Sequence, residues 1–210
     1  MASVARPRAL LIAPESPYPA AGGGALRTAS LIEYLARKYD LDLVVFREPA
    51  AADPRRVIPP GLFRRLLVLE LAPHSRSLAP RIVRTAGRLA RGVPPLSDRF
   101  AGFKERLREF ISGQSYELGV IEHIWCAGYL EVIERACRRT VLDLHNIESV
   151  LMARRAAVAP FPASSVFRRF ERAARAEEQL WLGRFTTVLV TSAHDASIAR
   201  RLADGAEVVI

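Results

Sequence analysis

Apolar residues in this chain fall in short blocks separated by longer amphipathic stretches. Residues 9–13, 41–46, 66–71, 118–122, 140–144, 187–191 and 207–210 are brief, mostly apolar runs. They do not alternate strictly between apolar and polar, as a half-solvated strand would. Continuous apolar strands suit a parallel sheet covered by helices on both faces. Between these runs, helical periodicity covers 25–38, 79–91, 98–112, 127–138, 164–184 and 194–202. Alternating strands and helices predict one α/β domain, a Rossmann-like, doubly wound, mainly parallel sheet. The Pro-containing stretches 49–60 and 158–163 read as surface loops, and no internal repeat stands out.

The first β-loop-α-β unit carries the sharpest local signal. A Pro-rich loop from Pro14 to Ala21 follows the first strand, and Gly22, Gly23 and Gly24 open the first helix. Glycines at the mouth of a helix after a buried strand let backbone N–H groups approach an anion, with the helix dipole behind them. A flexible turn is the plainer reading. The spacing is not the dinucleotide fingerprint, because Arg27 would occupy its third glycine position. No Gly-Lys-Ser/Thr follows, so the segment is not a P-loop.

Composition narrows the classes. Half of the 210 residues are hydrophobic and 25% are charged, enough apolar material for a sizeable core. No run approaches the roughly 18 apolar residues of a membrane-spanning helix, and the N-terminal apolar stretch is short for a signal peptide. These features suggest a cytoplasmic protein. Cys126 and Cys137, read as sharing the helix 127–138 and its approach, are too far apart for a disulfide and suit small core positions. The net charge of +9 is carried almost wholly by arginine. Arg81, Arg84, Arg88 and Arg91 recur at helical spacing opposite Ile82, Ala86 and Leu89. Such a helix can rest on an anionic membrane surface, so a location on the inner face of the cell membrane is an alternative. A merely solvated helix face explains the same spacing. Nucleic-acid recognition lacks support, since no module or aromatic interleaving accompanies the charge.

In a doubly wound sheet, ligands lie beyond the carboxyl ends of the strands. Glu122 and His123 follow one run, His145, Asn146 and Glu148 another, and Thr191, Ser192 and His194 a third. His123 can exchange a proton or hold a sugar hydroxyl, or be a packed structural histidine. His145, Asn146 and Glu148 offer donors and acceptors in a loop, and a helix cap built on Asn146 is the alternative. No zinc-like spacing and no G-x-S-x-G occur, which disfavours a metal centre and a serine hydrolase.

Four segments, "SPYPAAGGGALRTASLIEYLARKYDLDLV", "YELGVIEHIWCAGYL", "VLDLHNIESVLMARR" and "TTVLVTSAHDA", resemble the N-terminal domain of family 4 retaining glycosyltransferases of the GT-B type. The resemblance implies one half of a two-domain fold: a glycosyltransferase domain over 1–205 and the start of a hinge strand at 206–210, with the C-terminal donor domain absent. It implies sugar transfer from a nucleotide-sugar to a glycan or lipid-linked acceptor, as in polysaccharide biosynthesis, and no activity from this half alone. It places Gly22, Gly23 and Gly24 against the donor diphosphate and the reacting sugar, with Arg27 a candidate helper or simply a surface residue. It gives His123 the contact near the reacting carbon and puts Thr191 and Ser192 at the cleft. Glu122, Tyr129, His145, Asn146 and Glu148 would line the acceptor side. No metal or other cofactor is implied. The competing reading is a non-catalytic Rossmann-like module that binds a phosphorylated ligand or a partner domain.

Overall fold

A computed structural model describes residues 6–20, 22–75 and 77–210; residues 1–5, on which the signal-peptide question bears, and Ala21, the end of the Pro-rich loop, lie outside the described residues. Seven strands form one sheet: β1 (Arg8–Ala13), β2 (Asp40–Arg47), β3 (Arg65–Glu70), β4 (Tyr116–Glu122), β5 (Cys137–Asp143), β6 (Thr187–Leu189) and β7 (Glu207–Val209). Their order is β3-β2-β1-β4-β5-β6-β7, and every neighbouring pair is parallel. This is the doubly wound α/β sheet that the apolar blocks predict. The chain moves outward from β1 through β2 to β3, then returns to the other side of β1 with β4. Connections on the two sides leave for opposite faces, so a crevice opens beyond the carboxyl ends of β1 and β4.

The central strands β1, β2 and β4 are buried on both faces because their side chains feed two separate cores. Leu10, Ile12, Val44, Phe46 and Ile121 point to one face, and Leu11, Ala13, Leu43, Val45 and Val120 to the other, as the two-residue period of a strand requires. Helix α1 (Gly23–Lys38) covers the second face with Thr28, Ala29, Ile32 and Leu35, spaced to form one stripe. Arg37 and Lys38 in its last turn complement the helix dipole. The remaining helices are α2 (Pro54–Val57), α3 (Leu78–Arg91), α4 (Pro95–Phe100), α5 (Lys104–Ile111), α6 (Leu130–Ile133), α7 (Glu148–Val158), α8 (Ala163–Trp181) and α9 (Ala193–Leu202). No helix among the described residues is long and apolar enough to cross a membrane.

Three expectations change. The helix read over 98–112 is two helices, because Gly102 with φ 96° turns the chain between α4 and α5. The helix read over 127–138 is a 3-10 turn, Ile124–Tyr129, then the short α6, and β5 already begins at Cys137. The two cysteines therefore do not share a helix. Cys126 is fully buried in the turn, whereas Cys137 packs on Gly119, where a Cβ would lie 2.6 Å from its sulfur. Helix α7 was not anticipated, and the 158–163 segment is the turn that folds it back on α8.

At the opposite end of the sheet from the crevice, Asp42 is fully buried on β2. It accepts from Arg64 at 2.6 Å, Arg65 at 2.6 Å and the Tyr116 hydroxyl at 2.7 Å. These partners outweigh the cost of burial and hold its carboxyl below the ordinary range. The network closes the sheet's amino end and is remote from the crevice.

Candidate functional site

Helix α1 opens directly over the switch point between β1 and β4. Gly22, at its N-cap, has φ 92° and ψ 161°, a conformation open to glycine and costly for other residues. Among the described residues, no side chain caps this end, and no acidic residue occupies the first turn. Its first amide groups thus face the crevice without an internal partner. Among the described residues, a Cβ at Gly23 would meet no atom within 4 Å, and one at Gly24 would meet only the His145 Nδ1 at 3.8 Å. Packing among the described residues does not demand glycine at these two positions.

His123 ends β4 in an unusual state. Its φ of 61° and ψ of 145° make it the one non-glycine residue with positive φ among the described residues. This region of backbone space is nearly confined to glycine and costs about 1–3 kcal/mol. The strain is held by two hydrogen bonds: the His123 amide donates to the Asp143 carbonyl at 2.9 Å, and the His123 carbonyl accepts from the Cys126 amide at 3.1 Å. The ring lies flat on Trp125, with centroids 4.1 Å apart and planes 6° apart. His145 meets it from another side at 4.0 Å.

Behind the two rings sits a charged cluster. Glu122 and Asp143, the last residues of β4 and β5, are register partners in the sheet and are both buried. Thr28 from α1 donates to both Glu122 oxygens, at 2.9 and 3.1 Å. Arg27 pairs with Asp143 through two contacts, the Nε one at 3.1 Å. His145 Nε2 lies 3.7 Å from Glu122 and 3.6 Å from Asp143, at ion-pair distance from each. Together these residues form a compact group, one donor atom each from Glu122, Asp143 and His145 lying within 4.8 Å of one another.

The cluster sets the two imidazoles apart. Burial alone would lower His145, but Asp143 and Glu122 more than reverse this and raise it to about 9, so it is a cation at neutral pH. His123 is lowered to about 3, first by burial and then by the charge on His145, so it stays neutral. Asp143 remains below the ordinary carboxylate range because His145 and Arg27 overcome its burial. Burial pushes Glu122 up, against the pull of His145 and Thr28.

An open pocket of about 430 Å³ is lined by Gly23, Gly24, Arg27, His123, His145 and Thr191, together with Glu15, Trp125 and Asn146. Seven of the residues singled out in the sequence thus share one cavity wall. Gly22 stands beside it at the helix cap. Thr191 donates to the His145 carbonyl at 3.4 Å, and Ser192 caps α9 by accepting from the Asp195 amide at 3.1 Å. Glu122, Tyr129 and Glu148 are buried rather than on the pocket wall. Tyr129 donates to the Phe100 carbonyl and ties α4 to the 3-10 turn. Glu148 lies at the start of α7, its carboxyl pushed up by burial. Next to it, Ser149 donates through its hydroxyl to Glu178 at 2.6 Å.

A second cavity, about 370 Å³, adjoins the first. It shares Glu15, and its Phe100 ring stacks on Trp125 with centroids 6.0 Å apart. Its floor is apolar, from Tyr18, Phe46, Leu71 and Phe100, and Arg47 and Glu48 stand at its edge. Four buried side-chain polar atoms have no hydrogen-bond partner among the described residues: Ser16 Oγ, Tyr18 OH, Trp125 Nε1 and His145 Nε2. The first two belong to residues lining the second cavity and the others to residues lining the first. Buried polar groups are almost always satisfied, so Ser16 Oγ and Tyr18 OH mark the second cavity as a place where the fold accepts a cost, whereas His145 Nε2 is compensated by Asp143 and Glu122 at 3.6 and 3.7 Å.

The sequence reading missed Asp143, Trp125's stacking role and the second cavity. Asp143 was legible in principle, because a carboxylate inside the apolar run "VLDL" must be paired when buried. The second cavity assembles from the ends of β1, β2, β3 and α4, which no local spacing brings together.

No family model and no curated relative matches the sequence. Solved structures resemble it in fold. Sucrose-phosphate synthase from Thermosynechococcus elongatus superposes with a TM-score of 0.65 at 17% identity, covering 97% of this chain and 47% of that one. UGT89C1 from Arabidopsis thaliana, complexed with UDP-L-rhamnose, gives 0.53 at 14%, covering 98% and 51%. A UDP-glucosyltransferase from Polygonum tinctorium capable of glucosylating indoxyl gives 0.51 at 11%, covering 98% and 52%. The chain therefore has the Rossmann-like fold of one half of a GT-B glycosyltransferase, and it spans about half the length of these structures.

Proposed function

We propose that this chain is the acceptor-side domain of a retaining, family 4-type glycosyltransferase and forms one wall of a sugar-transfer crevice. The supporting observation is the strained His123, held between Trp125 and a cationic His145 at the uncapped mouth of α1. The α1 amides, with Arg27 and His145 close by, meet the charge of a nucleotide diphosphate leaving group. On this reading the Glu122–Asp143–His145 group is a charge-balanced ion-pair network and holds no metal. A dication there would have to displace Arg27 and strip a proton from His145.

Neutral His123, its ring immobilised by stacking, hydrogen-bonds the transferred sugar. Neither imidazole is poised as a base for the acceptor: His123 is too weak and His145 is already protonated. This favours a retaining course, in which deprotonation by an enzyme base is not the opening event. The acceptor lies in the second cavity, its apolar part on Phe46 and Phe100 and its hydroxyl toward Glu15. The polypeptide that completes the donor site corresponds to the other half of the GT-B fold, so 210 residues by themselves bind without turning over.

Calorimetric titration with UDP-glucose and GDP-mannose, compared with the nucleoside monophosphates, tests the donor assignment. Binding of the diphosphate sugars that weakens in Arg27→Ala supports it. Equal behaviour of diphosphates and monophosphates, or no effect of Arg27→Ala, removes it.

A further inference from the structure

Helix α3 is turned inside out. It has no buried residue along 14 positions, although one side is strongly apolar. Leu78, Ile82 and Val83 are 71%, 58% and 70% exposed. Ala79, Ala86 and Ala90 extend the same outward stripe along the helix. Arg84 and Arg88 are half-buried against the protein, whereas Arg81 is exposed and the Arg91 side chain stays 60% exposed. Arg84 donates to the Ser75 carbonyl at 2.8 Å, and Arg88 and Arg91 each reach Asp98 at 2.7 Å. An amphipathic helix in a soluble domain normally shows the opposite orientation.

We propose that α3 seats its apolar stripe on an anionic lipid surface. Charge complementarity selects this occupant. The helix carries four arginines and no acidic residue. Around it, Arg81, Arg84, Arg88, Arg91 and Arg99 stand against Asp98 and Glu48, an excess of positive charge among the described residues. His74, in the same groove as Arg81 and Arg84, registers that field. Its pKa is lowered by burial and then by Arg99, Arg84 and Arg88. Apolar side chains flanked by arginine are the elements of interfacial binding. The stripe enters the headgroup region, while the exposed guanidinium groups of Arg81 and Arg91 remain at the level of the phosphates. A protein partner on such a surface would need matching carboxylates; a bilayer supplies anionic charge at any angle of approach. The inference stands on α3 alone and is independent of the sugar-transfer reading.

Flotation of the 210-residue chain with phosphatidylcholine vesicles, with and without phosphatidylglycerol, tests it. The chain floats with the anionic vesicles and is released by salt. The double variant Ile82→Glu/Val83→Glu changes only exposed side chains, and unchanged circular dichroism verifies its fold. Its partitioning falls about tenfold or more. Arg81→Glu gives a smaller loss. Equal flotation of variant and parent, or failure of the parent to bind anionic vesicles, overturns the proposal. Self-association that Ile82→Glu/Val83→Glu abolishes, in a parent that ignores vesicles, assigns the stripe to a second copy and overturns it equally.

Discussion

His123 and His145 stand ring to ring, 4.0 Å between centroids, yet hold opposite protonation states at neutral pH. The division follows from position. His145 reaches back to two buried carboxylates, while His123 pairs with neither among the described residues and feels mainly desolvation and its cationic neighbour, which outweigh the pull of Asp143. One site therefore offers a fixed positive charge and a neutral hydrogen-bonding ring side by side.

The His145 charge makes stability depend on pH in a defined window. Its folded pKa of about 9 lies above the ordinary 6.5, so its ion pairs contribute fully below pH 6.5. That contribution is lost as pH rises toward 9. Urea denaturation at pH 6.5 and pH 9 will show a falling midpoint for the parent chain. His145→Gln removes most of this dependence.

His123 reverses the usual ranking of alanine and glycine. At most positions glycine is the less stable, but φ 61° and ψ 145° favour it. Both substitutions lose the stack on Trp125. His123→Gly will nonetheless be more stable than His123→Ala by about 1 kcal/mol, measured by denaturant unfolding. On the proposed function, His123→Ala in a protein carrying both halves of the fold lowers turnover far more than it lowers stability. Unchanged turnover would remove the ring from the site.

Gly23→Ala separates fold from function at the helix mouth. The added Cβ meets no atom of the described residues within 4 Å, and alanine favours a helix, so stability stays level or rises by about 0.5–1 kcal/mol. If the proposed donor site is right, binding of a nucleotide-sugar weakens, because the methyl group occupies space the diphosphate needs. A thermal melt paired with calorimetry reads both effects.

Asp42 supplies the contrasting case. Asp42→Ala leaves Arg64, Arg65 and the Tyr116 hydroxyl without their shared acceptor and costs about 3 kcal/mol. Ligand affinity per folded molecule does not change, because the network lies at the other end of the sheet.

The apolar blocks made the parallel sheet legible, because strands buried on both faces need no alternation. The residues after β1, β4 and β5 were legible as site candidates for the same reason: the topology brings strand ends together. Helix α7 escaped notice because its inward positions include Ser149 and Ala156, whose burial depends on α8 rather than on their own hydrophobicity. The role of Glu122 also escaped. A carboxylate at a strand end looks like a ligand-binding group, but Thr28 and His145 draw it inward as the support of another residue. Arginine spacing in α3 marked an amphipathic helix but not which face turns in, because Asp98 and the Ser75 carbonyl, which hold Arg84, Arg88 and Arg91, lie outside the helix.

The central claim is that an anionic donor group meets the open end of α1 beside His145. Residue-resolved amide NMR of the 210-residue chain, titrated with UDP-glucose and with inorganic pyrophosphate, tests it most directly. The account predicts that the Gly23 and Gly24 amides and the His145 ring signals shift together, and that Arg27→Ala diminishes the shifts. Signals that move elsewhere while these three stay fixed would contradict it.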